Sequence, residues 1–267
     1  MSSDQPITDP QKQRIARQFG QSAPAYNANA KLQYQGAQHL LELIQTYQNS
    51  LPSGDILEIG CGTGFITQGL IQCFADRSLE ITDLSPDMLK FCQRNLVTSP
   101  EQASRISFYQ LDAEVETSKQ YASIISGFTT QWFRELYQTI SLLLSQLHIN
   151  GILFLSFPGS QSFPEWRAIC NQLNLPFTAN PLPDLELLLA EMIHPLRILH
   201  LETDYQITHH TSAADFFREL KAIGAGVSQQ QLSVSQMKRL IRIWDAQASG
   251  QVDVHHQIIY LAVQRIV

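Results

Sequence analysis

Residues 56–65 read ILEIGCGTGF. The opening ILEI is a short apolar run of the kind that forms a buried strand. Gly60, Gly62 and Gly64 then stand at every second position, and GFITQGLIQCF (64–74) continues with apolar residues at helical spacing. A strand that enters a glycine-spaced turn and leaves as a helix is the usual floor of a nucleotide crevice. The dinucleotide fingerprint, however, spaces its glycines GxGxxG, so that a pyrophosphate reaches the helix N-terminus. Here the spacing is GxGxG, and Glu58 lies two positions before the first glycine. A carboxylate there repels a pyrophosphate but can hold a cationic amino-acid group or order water beside it. A nicotinamide dehydrogenase is therefore the weaker reading.

Working outward, strands and helices alternate. LEITDL (79–84), RISFYQ (105–110), YASIISG (121–127) and GILFLSF (151–157) read as further strands. SPDMLKFCQRNL (85–96) is a helix with Ser85 as N-cap and Pro86 at its first position. QWFRELYQTISLLLSQL (131–147) reads as one long helix. Buried strands in this alternation predict an α/β fold: a doubly wound, Rossmann-like, mostly parallel sheet. Ahead of it, Gln11 to about Tyr47 is helical with a break near Ser22–Pro24, which predicts an N-terminal helical lid over 1–50. The main unit is 51–267, lid and sheet together forming one structural domain, with a proline-rich insertion at about 158–195 after the fifth strand. The tail adds a long strand (196–210), a helix closed by Gly224, a second helix (233–248) with an apolar stripe Met237, Leu240, Ile241 and Trp244, and a last strand (257–264).

Composition bounds the function. The 267 residues suffice for one large domain, and 44% apolar with 16% charged residues fits a soluble enzyme. A net charge of −6 argues against nucleic acid as a bulk partner. Cys61, Cys73, Cys92 and Cys170 form no CxxC pair and no zinc spacing, and His209–His210 and His255–His256 read as strand ends, so no metal site is expected. Scattered cysteines, no apolar leader segment and no apolar run near 18 residues predict a cytoplasmic chain that crosses no membrane.

The glycine turn with Glu58 resembles motif I of the class I S-adenosylmethionine (SAM) methyltransferases. Asp83 follows at the end of the second strand, where it can accept from both ribose hydroxyls. Leu84 and Met88 would flank the adenine, and Asp112, after the third strand, would accept from its exocyclic amine. Cys61, Ala113 and Ser126 complete the cofactor set beside these motifs.

The resemblance extends to one family. FGQSAPAYNANAKLQ (19–33), TDLSPDML (82–89), LDAE (111–114), SGFTTQWF (126–133), GILFLSFPGSQSFPEWR (151–167) and HHTSAADFFRELKAIGA (209–225) are similar, in order, to segments of the malonyl-acyl-carrier-protein O-methyltransferases, which open pimelate assembly for biotin. The segment after LDAE is shorter than usual there, and Ala122 stands where the family carries an aspartate. The resemblance implies transfer of the SAM methyl group to the free carboxylate of malonyl thioester on acyl carrier protein. That nucleophile arrives ionised and needs no general base, which fits the absence of paired His/Asp machinery. Tyr26 would bond the cofactor carboxylate or the substrate, or pack within the lid; Gln33 would reach the cofactor from the same lid. Gln131 and Trp132 would stand near the transferred methyl. Arg134, Arg167 and Arg197 are alternatives for the malonyl carboxylate. Arg218, Lys221, Lys238, Arg239 and Arg242, with only Glu219 among the acidic residues of that stretch, reverse the chain's overall charge and would face an acidic carrier protein, or form a solvated helix face. Two other readings stand beside this one: a methyltransferase for another small carboxylic acid or small molecule, and a non-catalytic SAM-fold partner subunit.

Overall fold

The computed structural model describes residues 9–97, 99–192, 195–226, 231–248 and 250–267. Seven strands form one sheet in the order β3-β2-β1-β4-β5-β7-β6. They are β1 (Ile56–Ile59), β2 (Leu79–Asp83), β3 (Ile106–Gln110), β4 (Tyr121–Gly127), β5 (Leu147–Pro158), β6 (Leu196–His210) and β7 (Val252–Arg265). The first five are parallel; β7 runs antiparallel between β5 and β6. The chain thus reverses sequence direction at β1, between β2 and β4, and a crevice opens where those strand ends part.

Both faces of the sheet are covered, and the side-chain period of two assigns each residue to one. Ile56 and, on β7, Ile258, Tyr260 and Ala262 pack under α2 (Lys31–Tyr47), α3 (Thr67–Cys73) and α4 (Pro86–Leu96), among Leu40, Ile44, Leu70 and Cys92. Leu57, Ile59, Ile259, Leu261 and Val263 pack on the opposite face with Leu143 and Leu144 of the helix Leu136–Ser145. A third cluster of Trp166, Phe216, Leu240 and Trp244 joins the helices Pro164–Gln172, Ala213–Ala222 and Val234–Gln247 beside the start of β7. In chain order the helices are α1 (Pro10–Asn29), α2 to α4, α5 (Pro100–Arg105), α6 (Leu136–Ser145), α7 (Pro164–Gln172), α8 (Leu185–Ala190), α9 (Ala213–Ala222) and α10 (Val234–Gln247). Among the described residues no helix is long and apolar enough to cross a membrane. β6 forms the far edge of the sheet, with Leu201, Tyr205 and Ile207 exposed.

Three local expectations are corrected. The N-terminal helix does not break at Ser22–Pro24; α1 runs through Pro24 to Asn29 and is capped at Ala30. Tertiary packing outweighs the local cost of glycine and proline: Ile15, Ala16 and Ala23 are buried, and bare Gly20 lies so close to Ser85 and Asp87 at the head of α4 that a methyl group would collide. Residues 131–147 are not one helix. Thr130–Trp132 forms a single 3-10 turn, Phe133 is extended, and α6 begins only at Leu136. The helix after the glycine turn is likewise short, Thr67–Cys73. The cap of α4 is as expected, Ser85 Oγ accepting from Met88 N at 3.4 Å.

Candidate active site

A cleft lies over the ends of β1, β2 and β4 and under α1 and α2. Its floor is the glycine turn. Asp83, at the end of β2, accepts from Gly62 N at 2.9 Å through one oxygen and from Ser85 N at 2.7 Å through the other. The turn and the head of α4 are thus hung from one carboxylate. Gly62 has φ +54 with nothing within 4 Å of where a Cβ would sit, so its bare face opens on the cleft. Gly60 takes the opposite role: a methyl there would strike Thr129 of the β4 loop.

Both acids of the floor are perturbed. Burial pushes Asp83 up to about 6, against the backbone N–H groups of Ser85, Gly62 and Leu84. Burial also pushes Glu58 up to about 8, opposed by its hydrogen bond from Thr67 and reinforced by Asp83. Glu58 does not line the cleft. It is buried behind the turn, where Thr67 Oγ1 donates to it at 2.7 Å.

Of the residues singled out from sequence, Tyr26, Gln33, Gly60, Cys61, Gly62, Asp83, Leu84, Met88, Asp112, Ala113 and Trp132 come together on the cleft wall. Four stand behind it or beside it. Glu58 is one. Gly64 sits beneath the turn against Leu96 and Cys92. Ser126 ties β4 to β1, donating to Ile59 O at 3.1 Å. Gln131 donates to Phe128 O at 2.8 Å and lies in a neighbouring groove with Arg134 and Pro181. None of the three arginines reaches the cleft. Arg134 is exposed and pairs with Asp9 at 3.3 Å, Arg167 lies 4.1 Å from the centre of the Phe177 ring, and Arg197 is exposed near the start of β6.

The wall also holds residues that the sequence did not point to. Lys12, Ile15 and Phe19 enter from α1, and Thr63, Phe65, Glu114, Phe128, Thr129 and Phe133 from the loops. Lys12, Ile15, Phe19 and Tyr26 fall at helical spacing, and that stripe is visible once α1 is continued past Pro24. Phe19 meets Trp132 edge to face with ring centres 5.1 Å apart, so α1 and the β4 loop touch across the cleft.

The cleft fits an S-adenosyl ligand. Gly62 leaves room for close approach at the turn. Thr63 Oγ1 is buried with no hydrogen-bond partner among the described residues. Asp83 and Asp112 supply acceptors at two points along the wall, separated by the apolar Leu84, Met88 and Leu111. Among the described residues no group of His, Cys, Asp and Glu is arranged to hold a metal ion.

This fold and cleft define a class I, Rossmann-like, SAM-dependent methyltransferase. Residues 57–153 match the family described as methyltransferase domain. An N-methyltransferase from Bradyrhizobium japonicum, solved with S-adenosylhomocysteine, superposes with a TM-score of 0.55 at 13% identity, over 96% of this chain and 99% of that one; the likeness is one of fold. The malonyl-acyl-carrier-protein O-methyltransferase of Magnetococcus marinus is 31% identical over 248 residues, 91% of this chain and 89% of that one. The bifunctional biotin-biosynthesis protein BioCD of Bordetella avium is 30% identical over 88% of this chain and 49% of its own length. The chain belongs to the malonyl-acyl-carrier-protein O-methyltransferase family.

Proposed function

We propose that the protein transfers the SAM methyl group to the free carboxylate of a malonyl thioester on acyl carrier protein, giving the methyl ester that primes pimelate synthesis for biotin. The observation that carries the reading is family membership across nine-tenths of the chain, joined to a cleft with the acceptors and the open glycine face that the cofactor needs.

Asp83 would take the ribose hydroxyls and Asp112 the adenine amine, with Leu84 and Met88 against the purine. Bound SAM supplies an electrophilic methyl on a sulfonium. The rest is orientation and water exclusion. Phe19, Phe128, Trp132 and Phe133 make the acceptor end apolar, so a carboxylate entering there sheds water and gains nucleophilicity. Tyr26 and Gln33 offer a hydroxyl and an amide from the lid to orient it. With no arginine in the cleft, the counter-charge for the carboxylate is the sulfonium itself, and esterification removes both charges together. The reaction belongs in the cytoplasm, in keeping with four free cysteines.

The carrier protein docks on α9 and α10. Arg218 and Lys221 on α9, and Lys238, Arg239 and Arg242 on α10, are all exposed. Arg218 is engaged by Asp215, while the other four carry no ion pair among the described residues. The patch adjoins the cleft through Gly224, which packs on the ring of Phe19. The test is methyl transfer to malonyl carrier protein, malonyl-CoA and free malonate in parallel. Carrier-protein turnover should dominate. Reversing both Lys238 and Arg239 to Glu should lower its kcat/KM about tenfold at low salt, fading as salt screens the patch, and leave malonyl-CoA turnover nearly unchanged. Free malonate as the best acceptor would assign the enzyme to small acids. Unchanged carrier kinetics in the reversal would remove docking from this face.

A further inference from the structure

Lys12 stands on the first turn of α1, half-way up the cleft wall. Its ammonium donates to both oxygens of Asp112, at 2.9 and 2.7 Å, and pairs with Glu114. All three side chains are largely withdrawn from solvent, at 13%, 20% and 12% exposure. Glu114 in turn accepts from Glu135 N at 2.8 Å and Thr139 Oγ1 at 3.3 Å, so the loop after β3 is braced against the head of α6. One lysine therefore fastens the first helix to a loop a hundred residues away.

A withdrawn ion pair is a poor way to hold a helix down, because desolvation offsets much of its attraction and an apolar contact does as well. Its place in the cleft gives it another use. A carboxylate offers about four acceptor positions. Lys12 takes one on each oxygen of Asp112, and Glu114 N takes a second on Oδ1 at 3.1 Å, which leaves a free position on Oδ2. The carboxylate plane is fixed, and one lone pair remains to offer.

We propose that Lys12 is the positioning residue for adenine: it orients Asp112 to receive the exocyclic amine and closes α1 over the purine in the same contact. The inference rests on the cofactor reading above. It joins lid closure to base recognition, since the group that shuts the lid is the group that aims the acceptor.

The experiment measures binding of S-adenosylhomocysteine and of its analogue lacking the exocyclic amine to the full-length chain, by calorimetry. The wild type should prefer the amine-bearing ligand about tenfold, the range for a hydrogen bond to a charged acceptor. Lys12→Met should weaken S-adenosylhomocysteine about tenfold and the analogue far less, so that the preference narrows. Lys12→Arg should restore most of it. Asp112→Asn should narrow the preference too, and Lys12→Met added to it should narrow it no further. Equal losses for the two ligands in Lys12→Met would overturn the proposal, because a lysine that only holds the helix cannot tell them apart; unchanged affinities would overturn it as well. If Lys12→Met does not fold, Lys12→Gln, a donor without charge, should give an intermediate preference, and a wild-type preference there would count against the role. A wild type that binds neither ligand would instead sink the cofactor reading itself.

Discussion

The two walls of the cleft are built from different materials. The floor is backbone: Gly62 N and Ser85 N hang from Asp83, and the strands beneath are paired on both sides. The roof is side chain: Lys12 on Asp112 and Glu114, Arg134 on Asp9, Phe19 on Trp132. The floor cannot shift without unpairing the sheet. The roof is held to the loops by these few side-chain contacts, while α1 itself packs on the head of α4 through Gly20. On the proposed reading, a cofactor that enters and leaves each turnover passes through the roof, its ribose resting on the floor and its adenine meeting the Lys12–Asp112 contact of the roof.

The contrast yields graded expectations. Gly62→Val should be the most severe, since a branched side chain at φ +54 is strained and also enters the space left for ligand. Cofactor binding measured by calorimetry should disappear in a protein whose circular dichroism is unchanged; retained affinity would show that the floor is not where the ligand rests. Asp83→Ala should weaken S-adenosylhomocysteine by about 1–3 kcal/mol, the loss of a charged acceptor, and unaltered affinity would move the ribose elsewhere.

The buried acids give the third expectation. Their folded values, about 8 for Glu58 and about 6 for Asp83, lie above those of an unfolded chain. Between the two limits the folded protein holds more protons, so stability of the ligand-free protein falls as pH rises. From pH 6 to pH 8 the wild type should lose about 2–3 kcal/mol, chiefly through Glu58. Glu58→Gln should be flatter over that interval by urea unfolding; an equal slope would place the titration in another group. The smallest expected effect belongs to the roof. Amide exchange across 11–35 should slow on binding S-adenosylhomocysteine while β1 and β4 barely change. Uniform slowing, or none, would erase the distinction between the walls.

The floor was legible because its chemistry is local. Each strand leads at once into its own turn or N-cap, so Gly60, Gly62, Asp83 and Met88 could be placed at strand ends from local signals and the resemblance to motif I. The roof was not. Lys12 meets Asp112 across a hundred positions, and nothing near either residue announces the other. Ser22–Pro24 looked like a break because propensity is a local measure, while the close approach of Gly20 to α4 is a tertiary fact. Likewise Trp132 and Phe133 carry a helical apolar pattern, yet both turn into the cleft and the helix waits until Leu136. The arginines were sought for a carboxylate by charge, but the apolar end of the cleft holds none of them.

Among the described residues, the sheet has one long margin, β6, with no strand beyond it. β6 presents fifteen residues of half-used ladder, and Leu201, Tyr205 and Ile207 project from it into solvent. Such a margin is a template on which any extended chain can add. A register break between Ile198 and His200, with charge at Arg197, Glu202 and Asp204, makes the template irregular. No residue of β6 lines the cleft. Colloidal behaviour and chemistry are therefore assigned to separate parts of the molecule, and the first can be re-engineered with added charge on β6 while the second is left intact.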